Sequence, residues 1–133
     1  MIHRNTRQKQ IILETALRLD HPTATEVYEA VLQKDPGIGR ATVFRVLKGY
    51  AAEGKLRSVY VPDSGEIFDK TLSPHYHVRC RSCGRVGDVP LQYMDELAAR
   101  VEAETGMEIL SHELSFLGIC RDCKAREQTE AKQ

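Results

Sequence analysis

Arg40-Ala41-Thr42-Val43-Phe44-Arg45-Val46-Leu47-Lys48-Gly49-Tyr50 decides how the first half of the chain folds. Val43, Val46, Leu47 and Tyr50 recur at i, i+3, i+4 and i+7, the spacing of one buried helix face. Arg40, Arg45 and Lys48 lie largely off that stripe, so the helix, roughly Gly39–Ala52, buries one side and shows cations on the other. Glu53-Gly54-Lys55 closes it. Upstream, Thr23-Ala24-Thr25-Glu26 is a capping box, in which hydroxyl and carboxylate satisfy each other's backbone amides. It opens a second helix with Val27, Tyr28, Val31 and Leu32 as its apolar stripe, ended by Asp35-Pro36-Gly37. A first helix covers roughly Arg7–Leu19, with Ile12, Ala16 and Leu19 on one face, and Asp20-His21-Pro22 stops it. Downstream, Leu56–Val61 and Glu66–Asp69 flank a Pro62-Asp63-Ser64-Gly65 turn and read as a hairpin. Three helices and a hairpin form a winged-helix arrangement, whose third helix enters a DNA major groove.

The second half differs in composition. The 133 residues hold 19 Lys+Arg and 19 Asp+Glu, a net charge of zero. Residues 1–57 carry ten basic against six acidic residues, and residues 58–133 carry nine against thirteen. Neutrality is thus a basic module joined to an acidic one, which excludes a uniformly basic coat but not a local basic surface. No apolar run reaches the ~18 residues of a membrane span, and Met1–Arg7 lacks the apolar core of a secretory signal. The expectation is a cytoplasmic protein with no membrane partner.

Thr71-Leu72-Ser73-Pro74 reads as a polar hinge. Beyond it, Val78 and Val86–Val89 suggest strands. Leu91–Glu104 reads as a helix with Met94, Leu97, Ala98 and Val101 at i, i+3, i+4 and i+7, ended by Gly106. Met107–Leu117 alternates like a strand, with Leu110, His112, Leu114 and Phe116 on one face. The last ten residues read as a frayed polar tail. The expected domains are 1–70, a hinge at 71–74, and 75–133.

Four cysteines form two Cys-x-x-Cys pairs, Cys80/Cys83 and Cys120/Cys123, with 36 residues between them. Reduced thiols in a cytosolic chain favour metal over disulfide. Four thiolates fill a tetrahedral zinc shell, which makes the metal structural. Redox-active pairs are the alternative, but that chemistry wants its motif at the start of a helix in a βαβ unit. A second constellation surrounds His75-Tyr76-His77, whose imidazoles at i and i+2 share one face of a strand. Asp69, Asp88 and His21 each stand near an element end, and nitrogen with carboxylate oxygen suits Fe2+, Mn2+, Zn2+ or Co2+.

From about Arg4 to Cys123 the chain resembles the ferric uptake regulator family of metal-dependent repressors. The resemblance rests on His21-Pro22-Thr23, Ala41-Thr42-Val43-Phe44-Arg45-Val46-Leu47, Phe68-Asp69, His75-Tyr76-His77-Val78-Arg79-Cys80-Arg81-Ser82-Cys83-Gly84 and Gly118-Ile119-Cys120-Arg121-Asp122-Cys123. It implies an α+β fold, an N-terminal winged-helix DNA-binding domain followed by a small C-terminal α/β dimerisation domain. It assigns one structural Zn2+ per chain to Cys80, Cys83, Cys120 and Cys123. It assigns one regulatory Fe2+ or Mn2+ per chain to His21, Asp69, His75, His77 and Asp88. Iron-sensing members usually carry Glu at the places of Asp69 and Asp88, and peroxide-sensing members carry Asp at both. A shorter carboxylate can leave Fe2+ an open position for peroxide, and the resemblance then marks His21 and His75 as the rings oxidised. A third metal site of some members falls at Pro74, Tyr76, Asp95 and His112, where Pro74 has no donor and Tyr76 is a poor one. His112 is expected to be hydrogen-bonded in a core or an interface.

The family's DNA-reading Tyr is Phe44 here, which keeps ring contact to a thymine methyl and loses the hydroxyl. Arg45 suits a guanine edge or phosphate, Thr42 lies on the same helix, and Arg40, Lys48 and Arg57 suit phosphates. Arg4 and Arg7 are placed to reach the neighbouring groove or phosphates. The expected protein is a homodimeric repressor on a palindromic operator, sensing peroxide, with no other small-molecule substrate and no enzyme activity. Rival readings are an iron- or zinc-uptake repressor, a zinc-stabilised binding module without sensing, and a small non-haem iron enzyme, since two His and a carboxylate also describe oxygenases.

Overall fold

The computed structural model describes residues 4–131. The chain divides into two compact units, Met1–Ser73 and Pro74–Gln133.

The first unit contains α1 (Arg4–Arg18), α2 (Ala24–Lys34), α3 (Arg40–Ala52), β1 (Arg57–Val61) and β2 (Gly65–Asp69). Thr23 caps α2, and both halves of its capping box with Glu26 are formed. Ile12 and Ala16 from α1, Val27 and Val31 from α2, and Val43, Val46 and Leu47 from α3 build one core with Ile38, Leu56 and Phe68. Leu19, placed inward by its spacing, packs against this core half-buried. β1 and β2 pair antiparallel, with Tyr60 opposite Glu66 and Arg57 opposite Asp69. The turn between them uses left-handed backbone at Asp63 (φ 70°) and Gly65 (φ 82°), residues that tolerate it. Gly65 has open space where a Cβ would stand, so its glycine serves the backbone and not packing. The Phe68 amide donates to the Pro22 carbonyl at 2.8 Å and ties β2 to the α1–α2 junction.

The second unit contains β3 (Tyr76–Cys80), β4 (Val86–Val89), α4 (Asp95–Thr105), β5 (Ser115–Gly118) and α5 (Arg121–Ala131). Its sheet has the order β4-β3-β5. β3 runs antiparallel to β4, with His77 opposite Asp88, and parallel to β5, with Cys80 opposite Gly118. The parallel pairing needs a crossover, and α4 lies within it.

Three expectations change here. The strand read over Met107–Leu117 shrinks to β5, and Leu110 is 87% exposed rather than inward. Its alternation exists in the letters, but no partner strand accepts the hydrogen bonds of residues 107–113. The helix begins at Asp95, and its apolar stripe is only half-buried: Met94, Leu97 and Ala98 are partly covered and Val101 is exposed. Of the last ten residues, expected to fray, 124–131 continue α5, whose one buried residue among those described is Cys123, and the final two lie outside the described residues.

Candidate metal centres and nucleic-acid surface

The four sulfurs come together in the second unit, each within 4.8 Å of the others. Cys80 ends β3, Cys83 lies in the knuckle before β4, Cys120 follows β5 and Cys123 sits in the first turn of α5. The knuckle closes through Gly84 N to Cys80 O and Cys80 N to Arg85 O, both 2.9 Å, with Gly84 at φ 80°. Cys83 and Cys120 approach at 3.9 Å, close to the ~3.8 Å edge of a tetrahedron with Zn–S near 2.3 Å. Amides of Cys120 and Cys83 donate to the Cys80 sulfur at 3.3 and 3.5 Å. These bonds favour the thiolate and lower the Cys80 pKa to about 6. The neighbouring Cys120 sulfur and burial push Cys123 the other way, to about 12, against the Arg126 guanidinium at 3.1 Å. Four sulfurs this close together fit a divalent cation that neutralises their thiolates at once. The donor set and the sulfur spacing suit zinc.

The second constellation has a part in each unit. In the first, His21 stands at the α1–α2 junction and Asp69 at the end of β2. His21 Nε2 lies 3.6 Å from Asp69 Oδ2, and its Nδ1 lies 2.6 Å from Asp20. His21 adopts left-handed backbone, φ 48°, which is costly for a residue with a Cβ. Asp69 is buried, and its other oxygen accepts the Thr71 amide at 2.9 Å. In the second unit, His75 Nε2 and His77 Nε2 lie 2.9 and 3.6 Å from the same Asp88 oxygen, Oδ1. The two rings are 4.5 Å apart. The β3–β4 register causes this, since it sets Asp88 directly opposite His77. His77 is buried and Asp88 half-exposed. Two imidazoles aimed at one carboxylate oxygen match a nitrogen–oxygen site for a first-row divalent metal.

Among the described residues His112 belongs to neither cluster. Its Nε2 meets the Tyr76 hydroxyl at 2.7 Å, and its ring stacks on Tyr93 at 4.2 Å. Tyr76 also accepts the Met94 amide at 2.9 Å. Neither tyrosine's role was legible from spacing, because their partners lie 17 to 36 residues away.

On the first unit, Arg7, Arg40, Arg45 and Lys48 are exposed, and Thr42 and Phe44 are half-buried on α3. The Arg40 guanidinium lies over the Phe44 ring, 5.0 Å from its centre, and donates to Thr25 at 3.3 Å. Lys48 is not solvated alone: its Nζ is 2.6 Å from Glu66 Oε2 on β2. Arg57 is half-buried at the start of β1. The side chain of Arg4 lies outside the described residues. Glu66 was missed by the sequence reading, since a carboxylate after a turn has no signature there.

A sequence model of the Ferric uptake regulator family matches residues 2–117. The Peroxide operon regulator of Bacillus subtilis (strain 168) is 32% identical over 125 residues, covering 93% of this chain and 86% of that protein. Among solved structures, the Campylobacter jejuni peroxide stress regulator superposes with TM-score 0.68 at 25% identity, covering 90% of this chain and 91% of that one. The Helicobacter pylori ferric uptake regulator Fur, described as having three functional metal binding sites, superposes with TM-score 0.69 at 21% identity. That likeness covers 91% of this chain and 84% of that one and concerns the fold. The α+β architecture expected from the sequence is the one these structures share.

Proposed function

Since this chain belongs to the ferric uptake regulator family, we propose that it is a metal-dependent transcriptional repressor that senses peroxide through oxidation of a ligand histidine. The observation that carries this reading is the convergence of His75 and His77 on one oxygen of Asp88, beside a separate four-cysteine cluster. Zinc in the cysteine cluster is structural, since four thiolates leave no coordination position open. The regulatory metal takes His75, His77 and Asp88 from one unit and His21 and Asp69 from the other. Both carboxylates are Asp, as in the peroxide-sensing pattern. Fe2+ held by these residues would supply the electron that reduces peroxide. The chain's part would be to present the His21 and His75 rings to that oxidant and to lose metal affinity when a ring loses its donor strength. Metal binding favours one arrangement of the units, and only as much as it discriminates between arrangements.

DNA recognition falls to α3. Phe44 offers its ring to a thymine methyl, Arg45 reaches a base edge or phosphate, and Thr42, Arg40, Lys48, Arg57, Arg7 and Arg4 supply further contacts. The partner is double-stranded palindromic operator DNA. A palindrome requires a two-fold protein, and the second unit supports a homodimer. The outer edge of β5 carries exposed Phe116 and Leu117, and α4 shows Val101 to solvent. An edge strand and an apolar helix face of this size call for cover by a second copy. The domains are a reading unit, residues 1–70, a hinge at 71–74, and a dimerisation unit, residues 75–133. No described helix is long and apolar enough to cross a membrane, and a repressor works where the DNA is, in the cytoplasm. The family's members are regulators, and we read no catalytic turnover into the metal site.

The test is a DNA-binding titration with Fe2+, Mn2+ or Zn2+, each with and without peroxide, followed by mass spectrometry of the His21 and His75 peptides. Binding with Fe2+ or Mn2+, lost to peroxide only with Fe2+ and with one oxygen added to a histidine, is the expected result. Fe2+-dependent binding that survives peroxide without histidine oxidation points to an iron-uptake repressor instead.

A further inference from the structure

α3 aligns Arg40, Phe44 and Lys48 at i, i+4 and i+8, one ridge along the reading helix. Phe44, Lys48, Glu66 and Phe68 line one open cleft of about 410 Å³ beside the start of α2. Glu66 is the carboxylate in it. Its Oε2 accepts Lys48 Nζ at 2.6 Å and also the Ser58 hydroxyl from the neighbouring strand. Lys48 remains 64% exposed, whereas Glu66 is 33% exposed. Glu66 is therefore held by two donors from two elements, and the lysine head is the mobile partner. Lys48 reaches it across the gap between helix and wing, and Ser58 fixes the carboxylate from β1.

We propose that Glu66 is a built-in competitor for DNA phosphate, setting the affinity of the reading helix by occupying Lys48. The proposal rests on the DNA-binding reading above. A phosphate approaching this ridge must displace a carboxylate that has the same charge and the same donor. Both hydrogen bonds to Glu66 survive without DNA, so in free protein the cation is already neutralised locally. An exposed pair of this kind is weak enough to be exchanged. Binding through Lys48 then leaves Glu66 on Ser58 alone, a negative charge kept close to the polyanion. The contact lowers affinity for every sequence equally, because it acts on phosphate and not on base edges.

The experiment compares wild type, Glu66→Gln and Lys48→Gln/Glu66→Gln, each loaded with Zn2+ and Mn2+. The probe is a duplex recovered by the wild-type protein from a random-sequence pool, titrated over a series of NaCl concentrations. Glutamine keeps the Ser58 bond and removes the charge, and equal zinc content and an unchanged circular dichroism spectrum confirm the fold. Glu66→Gln is expected to bind up to about fivefold tighter per chain, with a salt slope steeper by about one per chain. The double variant is expected to lose both gains. A Glu66→Gln protein that binds as wild type does, or more weakly, overturns the proposal, as does a double variant that keeps the gain. If wild type binds no duplex from the pool with either metal loaded, the DNA-binding reading falls and this inference with it.

Discussion

Tyr76 and His112 meet hydroxyl to imidazole at 2.7 Å, where some relatives of this chain are expected to hold a further metal. Tyr76 is fully buried, and its oxygen also receives the Met94 amide, so one hydroxyl joins β3, the start of α4 and the segment before β5. Tyr93 completes the cluster, exchanging hydrogen bonds with the His112 carbonyl and amide at 3.1 and 3.0 Å. Tyr76→Phe keeps the ring and leaves buried groups without that partner. It is expected to lower unfolding stability by about 1–3 kcal/mol. Urea unfolding of the zinc-loaded protein checks this, and an unchanged midpoint would show that water replaces the hydroxyl.

The cysteine cluster predicts a stability effect tied to metal. Cys83→Ser and Cys120→Ser each remove one donor and are expected to reduce bound zinc from one per chain to none. Because metal binding and folding are linked, α5 and the β3–β5 pairing should melt with it. Metal analysis and circular dichroism read the two together, and a Cys83→Ser protein with full zinc would contradict a four-thiolate site.

The histidine pair predicts a separable loss. His77→Ala is expected to weaken Mn2+ binding by at least about 100-fold, the upper scale for removing even a supporting group of a metal site, while zinc content stays at one per chain. Calorimetry with Mn2+ measures the first and metal analysis the second. Asp88→Glu lengthens the carboxylate that both rings face. Metal-dependent DNA binding should persist and peroxide sensitivity should fall, read by the same mass spectrometry of the histidine peptides.

Phe44 predicts a loss at the DNA. Phe44→Ala removes the ring under Arg40 and the contact to a thymine methyl. Affinity should drop, and discrimination at the contacted thymine with it, measured on the duplex that wild type selects. If affinity is unchanged, the reading surface is elsewhere on α3.

Glu66 predicts a pH dependence. Partial burial raises its pKa, but the hydrogen bonds from Lys48 and Ser58 outweigh this and hold it below its ordinary 4.5. A depressed carboxylate stabilises the fold above its unfolded value and ceases to as pH falls through the folded one. The clasp is therefore complete at neutral pH and lost in acid below about 4.5. Denaturation between pH 7 and pH 3 should show a loss for wild type that Glu66→Gln lacks (about one titrating group).

The first unit was almost wholly legible. The Thr23–Glu26 box, the Val43-Val46-Leu47 stripe and the turn at Asp63 are local signals, and each element formed within three residues of its expected bounds. The second unit was legible in chemistry more than in shape. Cys80 and Cys120 announced their cluster by spacing, but α5 has no apolar stripe to reveal it and is anchored through Cys123. Leu110 and Val101 misled, because their apolar character answers to a surface this chain alone does not bury. The Lys48–Glu66 and Tyr76–His112 contacts join residues 18 and 36 positions apart, and no periodicity records a single long-range pair.

One strand of five residues, β3, carries both His77 and Cys80. At about 3.3 Å per residue, the ends of two different metal sites are roughly 10 Å apart on a shared rail. That rail is held in register by β5, which leads directly into Cys120. A metal held by the cysteines would therefore steady the same strand that presents His77. Disturbance at one cluster would then reach the other along three residues of backbone, with no side chain in between to carry it.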